Sequence, residues 1–126
     1  MKYERFEHSP VWSAGIHLSL KTYVLTAEAS FKGHAGLRDQ TERAALSVSN
    51  NIDEGFERGT SNELLTSLYI ARGSAGEVRS MLCLLERLPA YDNFKSEIIS
   101  RRHLAPASRL GRFSAKFKHQ GSKVFN

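Results

Sequence analysis

The sequence predicts an all-α fold, an antiparallel up-down-up-down four-helix bundle in a single domain over residues 1–126. Three observations predict it. Leu64, Leu68, Ala71, Ala75, Val78, Leu82 and Leu85 fall at alternating steps of 4 and 3, a heptad pattern that packs helices along a straight seam at about 20°. Between Leu37 and Phe56 a polar row and an apolar row run side by side at helical spacing. No segment shows the period-two alternation of a strand, and the connections are short.

Each element has its own signals. Ser9 is placed to cap a first helix with Pro10 at its first position, where a missing N–H costs nothing. The row Val11, Gly15, Leu18, Thr22 and Leu25, with Trp12, Ile16 and Tyr23 beside it, carries that helix to about Ala29. Phe31 to Gly36 reads as a loop. The second helix runs from about Leu37 to Phe56, with Leu37, Thr41, Ala44, Val48, Ile52 and Phe56 on its apolar face, and stops around Gly55 to Gly59. Thr60 and Glu63 form a capping box that opens the third helix. Ala71, Gly73, Ala75 and Gly76 are small enough for a neighbouring backbone to approach, although each interior glycine costs about 1 kcal/mol against alanine. Pro89 closes this helix. A fourth begins near Tyr91 or Asp92 with Phe94 and Ile98, and Pro106 kinks or divides it near Ala105. The last residues, from Gln120 to Asn126, read as a frayed end.

The polar row holds the residues of interest. Gln40, Arg43, Ser47, Asn51 and Glu54 recur at steps of 3, 4, 4 and 3 and share one face of the second helix; Arg72, Ser74 and Glu77 follow on the third. Charges taken out of water unpaired cost several kcal/mol, so opposite charges are expected to meet. Planar guanidinium and carboxylate groups join bidentately. The eight residues are therefore expected to form a polar network that fixes helix register, or a subunit interface. The functional alternatives are a ligand pocket and a general acid or base in Glu54.

Inventory argues against other chemistry. His8, His17, His34, His103 and His119 have no metal-ligand spacing and no Glu-x-x-His pairing. Ser47, Ser49 and Cys83 have no base on their own helices. The glycines of Gly55 to Gly59 follow a helix, whereas phosphate cradles precede one. Lone Cys83 reads as a small apolar residue in a reducing compartment. No enzyme, metal or cofactor is expected. No apolar run approaches a membrane span, and Met1 to Arg5 lacks a signal peptide's apolar stretch, which leads to the expectation of a soluble cytoplasmic protein with no membrane partner.

Charge is segregated along the chain. Residues 1–100 carry 11 Lys and Arg against 13 acids, whereas residues 101–126 carry seven Lys and Arg and no acid. Arg101, Arg102, Arg109, Arg112, Lys116 and Lys118 are thus candidate phosphate contacts for a nucleic acid, and the interleaved Phe113, Phe117 and Phe125 could stack on bases. The competing account makes Phe113 and Phe117 core residues of a last helix and the cations its wet face.

The string Leu37-x-x-Gln40-x-x-Arg43-Ala44-x-x-Ser47-x-x-x-Asn51-Ile52-x-Glu54-Gly55-x-x-Arg58, then Glu63, Leu68-Tyr69-Ile70-Ala71-Arg72-Gly73-Ser74 and Glu77, resembles a signature of bacterial four-helix bundle proteins first noticed in intervening sequences of large-subunit ribosomal RNA genes. Val11-Trp12 with Gly15, Leu18 and Tyr23 resembles that family's first helix. The resemblance implies a left-handed antiparallel bundle assembling as a ring, a pentamer. More distantly, the chain is similar to the accessory protein of diversity-generating retroelements, a basic pentameric bundle that binds a reverse transcriptase and nucleic acid. The expected function is therefore that of a non-enzymatic homo-oligomer binding RNA or a ribonucleoprotein through its basic end. The alternative is a protein-interaction scaffold with no nucleic-acid partner.

Overall fold

Leu64, Leu68, Ala71, Ala75, Val78, Leu82 and Leu85 are each no more than 1% exposed, so the heptad row is buried along its whole length. The computed structural model describes residues 4–104, with side chains through Arg101. They form four α-helices, α1 (Pro10–Thr26), α2 (Ala35–Arg58), α3 (Ser61–Leu85) and α4 (Lys95–Leu104), with single 3-10 turns at Phe6–His8, Ala29–Phe31 and Pro89–Phe94 and no strand among the described residues. The fold is an all-α four-helix bundle. Val11, Leu18 and Leu25 of α1, Ala44, Ala45, Val48 and Ile52 of α2, and Ile98 of α4 complete one core with the α3 row. Two buried hydroxyls are satisfied locally: Thr22 and Thr41 donate to the carbonyls of Leu18 and Leu37, one turn back, at 2.8 Å each.

The helix ends follow the expected signals in part. Pro10 stands at the start of α1, but Ser9 makes no side-chain cap there. Gly59 ends α2 in the left-handed conformation, φ 83°. Thr60 accepts from the Glu63 N–H at 3.2 Å and donates to the Glu63 carboxylate at 2.7 Å. α1 ends at Thr26, short of the expected Ala29, because Glu28 turns extended (φ −64°, ψ 147°) and the following 3-10 turn carries Phe31 into the core. α2 begins at Ala35, before Leu37. Pro89 opens a 3-10 turn through Phe94 instead of closing α3 directly, so α4 starts at Lys95 and not at Tyr91 or Asp92. That turn is stabilised by swinging Tyr91 inward to 1% exposure. Pro106, and the basic segment beyond it, lie outside the described residues.

α2 packs between α1 and α3, and α4 closes the bundle mainly against α3. Two glycines set how near α2 comes to its neighbours. A Cβ on Gly15 of α1 would stand 3.2 Å from the backbone nitrogen of Ser49, and one on Gly55 of α2 would stand 2.6 Å from the Ser67 Cβ. The two outer connections meet at one end, where the rings of Phe31 and Tyr91 lie 4.8 Å apart. Burial there holds the Tyr91 phenol above its ordinary value.

These approaches predict a contrast between two glycines. Gly55→Ala improves helix propensity yet forces Ser67 and Leu64 aside, and should lower stability by about 1–3 kcal/mol in urea denaturation. Gly36→Ala, where a Cβ would meet nothing within 4 Å, should leave stability equal or raise it by up to about 1 kcal/mol. Equal midpoints for the two variants would show that α2 and α3 can move apart without loss.

Candidate functional site on the second and third helices

On α2 the buried positions Thr41, Ala44, Ala45, Val48, Ser49, Ile52 and Gly55 centre on one side, and the polar row lies about 120° around the helix from that centre. It therefore runs along the seam with α3, half in and half out. Its middle is engaged. The Ser47 and Ser74 hydroxyls lie 2.8 Å apart across the seam, and the Asn51 amide donates to the Ser47 carbonyl at 2.7 Å and to its hydroxyl at 2.8 Å. Ser74 is buried while Ser47 and Asn51 are half-buried, so this clip joins α2 to α3 by neutral hydrogen bonds.

Above and below the clip the seam opens into two solvent-facing grooves. Gln40, Arg43, Ser47, Glu77, Ser80 and Met81 line the first. Asn51, Glu54, Arg58, Asn62, Glu63 and Ile70 line much of the second. Glu54 accepts from Arg58 of its own helix, and Arg58 also approaches Glu63 at 4.0 Å. The hydrogen bond and negative charge of Glu54 raise the Arg58 guanidinium further above its already high value. Both side chains are more than half exposed, so this is a solvated surface pair of small energetic worth. Among the described residues no group of three or more His, Cys, Asp and Glu is arranged to hold a metal ion. None of the described helices is long and apolar enough to cross a membrane.

The charged network expected inside one chain does not form. Gln40, Arg43, Glu54, Arg72 and Glu77 are exposed. Arg43 and Glu77 line the same groove without an ion pair within 4.0 Å, because water solvates both and nothing forces them together. Arg72 does not join Ser74 and Glu77: two residues along a helix is about 200°, so Arg72 faces away from the α2 seam that Ser74 enters. It makes no ion pair among the described residues. Arg101, a candidate phosphate contact, is instead held in the bundle by an ion pair to Glu97, with its side chain 15% exposed. The backbone of Arg102 belongs to α4; its side chain, and Arg109, Arg112, Lys116 and Lys118, lie outside the described residues.

A second feature escaped the reading of rows. Leu20, Tyr23 and Val24 of α1 and Tyr69, Ile70 and Leu84 of α3 are large apolar side chains, each at least 45% exposed. The signal was present in α1, whose 17 residues include one lysine, one histidine and no acid. A helix that is apolar all round is one that expects cover on every side.

Two substitutions check this geometry. Asn51→Ala removes both bonds to Ser47 and should lower the stability of the chain by about 1 kcal/mol in thermal or urea unfolding. Arg72→Met, a severe change had Arg72 neutralised a buried carboxylate, should now shift stability by less than about 0.5 kcal/mol. A large loss from Arg72→Met would place that guanidinium in a contact beyond the single chain.

No curated protein and no solved structure matches the chain. One family model does, that of the 23S rRNA-intervening sequence protein, over residues 7–104. The span takes in all four helices, both grooves and the serine–asparagine clip, and the chain belongs to the 23S rRNA-intervening sequence protein family.

Proposed function

We propose that this protein is a non-enzymatic, cytoplasmic homo-oligomer, a ring of five copies, that binds RNA or a ribonucleoprotein through its basic C-terminal end. The observation that carries the proposal is the segregation of charge: all 13 acidic residues precede residue 101, and the 26 residues from there on hold seven Lys and Arg. An acid-free segment of this kind binds polyanions by releasing their condensed counterions, without needing a shaped pocket. The family model's description, which ties its members to intervening sequences of 23S rRNA, supports RNA as the polyanion.

The structure adds support of two kinds. Exposed apolar side chains on α1 and α3 are what a chain that buries them against other copies would show alone. Glu54, the side chain best placed in sequence for acid–base work, is occupied by Arg58 at the surface, where a carboxylate has neither the desolvation nor the enclosure that general acid–base catalysis uses. Binding, and not turnover, is the action that these residues support. The ring of five copies follows the resemblance of the polar row and first helix to the family pattern.

The test is neutralisation of Arg109, Arg112, Lys116 and Lys118 to Gln together. Affinity for RNA, measured by fluorescence anisotropy across a salt series, should fall, and the slope of log K against log salt should flatten by about 0.7 for each lost contact to single-stranded RNA. Wild-type protein that retains no RNA on purification without nuclease, and binds none at low salt, would overturn the proposal in favour of a scaffold that meets an acidic protein surface.

A further inference from the structure

The charges of α3 divide by side. The helix carries four, Glu63, Arg72, Glu77 and Arg79. Glu63 and Glu77 line the two grooves along the α2 seam. Arg72 lies on the other flank, about 160° around the helix from Ser74, which meets α2 through Ser47. Arg79, seven residues on, returns to within about 20° of Arg72. Both arginines are exposed. No acid stands one turn away from either: Leu68, Tyr69, Ala75 and Gly76 flank Arg72, and Ala75, Gly76, Leu82 and Cys83 flank Arg79.

The other arginines show what sets this pair apart. Arg5, Arg38, Arg58, Arg87 and Arg101 each pair with a glutamate, and Arg43 shares its groove with Glu77. Arg72 and Arg79 complete the arginines whose side chains are described, and they make no ion pair among the described residues. Neighbouring elements bring no free acid to them. The one acid of α4, which also packs on α3, is Glu97, and Arg101 already holds it. α1 has no acid. Glu86 is taken by Arg87, and Asp92 belongs to the turn past the end of α3. Tyr69, 46% exposed, stands one turn before Arg72. The flank therefore offers two uncompensated cations about 10 Å apart along the axis, at 1.5 Å per residue, beside an exposed aromatic ring.

We infer that this flank of α3 is a second contact surface for single-stranded RNA, on which Arg72 and Arg79 meet backbone phosphates and Tyr69 stacks on a base. The inference rests on the RNA reading proposed above and adds the folded bundle to the acid-free end. A paired arginine must give up its carboxylate to take a phosphate, whereas an unpaired guanidinium releases a counterion from the polyanion without that loss. A separation of about 10 Å matches three steps of a stacked strand, at about 3.4 Å each, so one strand can reach both cations. Cations set beside an aromatic ring are the pattern of surfaces that hold single strands without reading their sequence. The ring also favours a nucleic acid over an acidic protein surface, which supplies charge but no bases to stack.

The test uses full-length variants and a fluorescein-labelled oligouridylate, read by anisotropy across a salt series. Arg72→Gln with Arg79→Gln changes exposed, unpaired side chains, so circular dichroism and thermal melts should match wild type. Two lost contacts at about 0.7 each should flatten the slope of log K against log salt by about 1.4 and lower affinity about 25-fold at about 0.1 M salt. Tyr69→Ala should weaken binding about 5-fold or more with the slope unchanged, as loss of a stacked base does. Arg5→Gln with Arg38→Gln makes the same change in net charge at paired positions and should leave the slope as it is. A wild-type slope in the Arg72 and Arg79 variant, with the C-terminal variant impaired, would overturn this inference and leave the proposed function standing. Equal losses from the two arginine pairs would overturn it too, since net charge alone would then account for them. Wild-type protein that binds no oligouridylate at low salt would overturn both proposals.

Discussion

The closeness of α2 to both its neighbours is the constraint on which the bundle depends. Gly15 lets α1 rest against the backbone of Ser49 and the side chain of Val48, and Gly55 lets α3 bring Ser67 and Leu64 to within the space of a missing methyl group. At these separations neighbouring helices touch directly at Gly15 and Gly55, and close contact is the condition for dispersion attraction to contribute fully. The same closeness brings Ser47 and Ser74 to 2.8 Å, a separation at which two hydroxyls can satisfy each other and a third group, Asn51, can complete the set. Move α3 outward by a methyl group and the clip opens along with the core.

That arrangement gives the polar row two distinct tasks. Its centre is a neutral, partly buried latch, the kind of polar contact that a low-dielectric seam tolerates because each member has a partner. Its ends are charged and wet. Gln40, Arg43, Glu54 and Glu77 stand in grooves where solvent already stabilises them, and in one chain they contribute little to folding. The distinction separates residues that hold the bundle from residues free to meet something else.

Much of the fold was legible in the sequence because burial leaves a periodic trace. The α3 row, the Thr60 cap and the Gly59 stop were each readable from residue type and spacing. Helix ends were less so, because Phe31 and Tyr91 are drawn into the core by tertiary contact and bend the chain into 3-10 turns that no local propensity encodes. The site divides in the same way. The spacing of the α2 row was readable, and so was its place beside the apolar row, but spacing alone does not say which part of a flanking row a neighbour covers. Arg72 was misplaced for a simpler reason: proximity in sequence to Ser74 hides a half-turn of separation in space. Similarly, Ala71, Gly73, Ala75 and Gly76 look like one patch of small residues, and the helix sends them to opposite sides.

The burial of Arg101 has a consequence for how many cations the acid-free run can lend to a polyanion. Its guanidinium is paired with Glu97 and its side chain is 15% exposed, so drawing it to a phosphate would leave that carboxylate alone beside the bundle. At most six of the seven Lys and Arg from residue 101 onward are then free of such a tie, and six counterion-releasing contacts are the ceiling that the run sets on the steepness of any salt response.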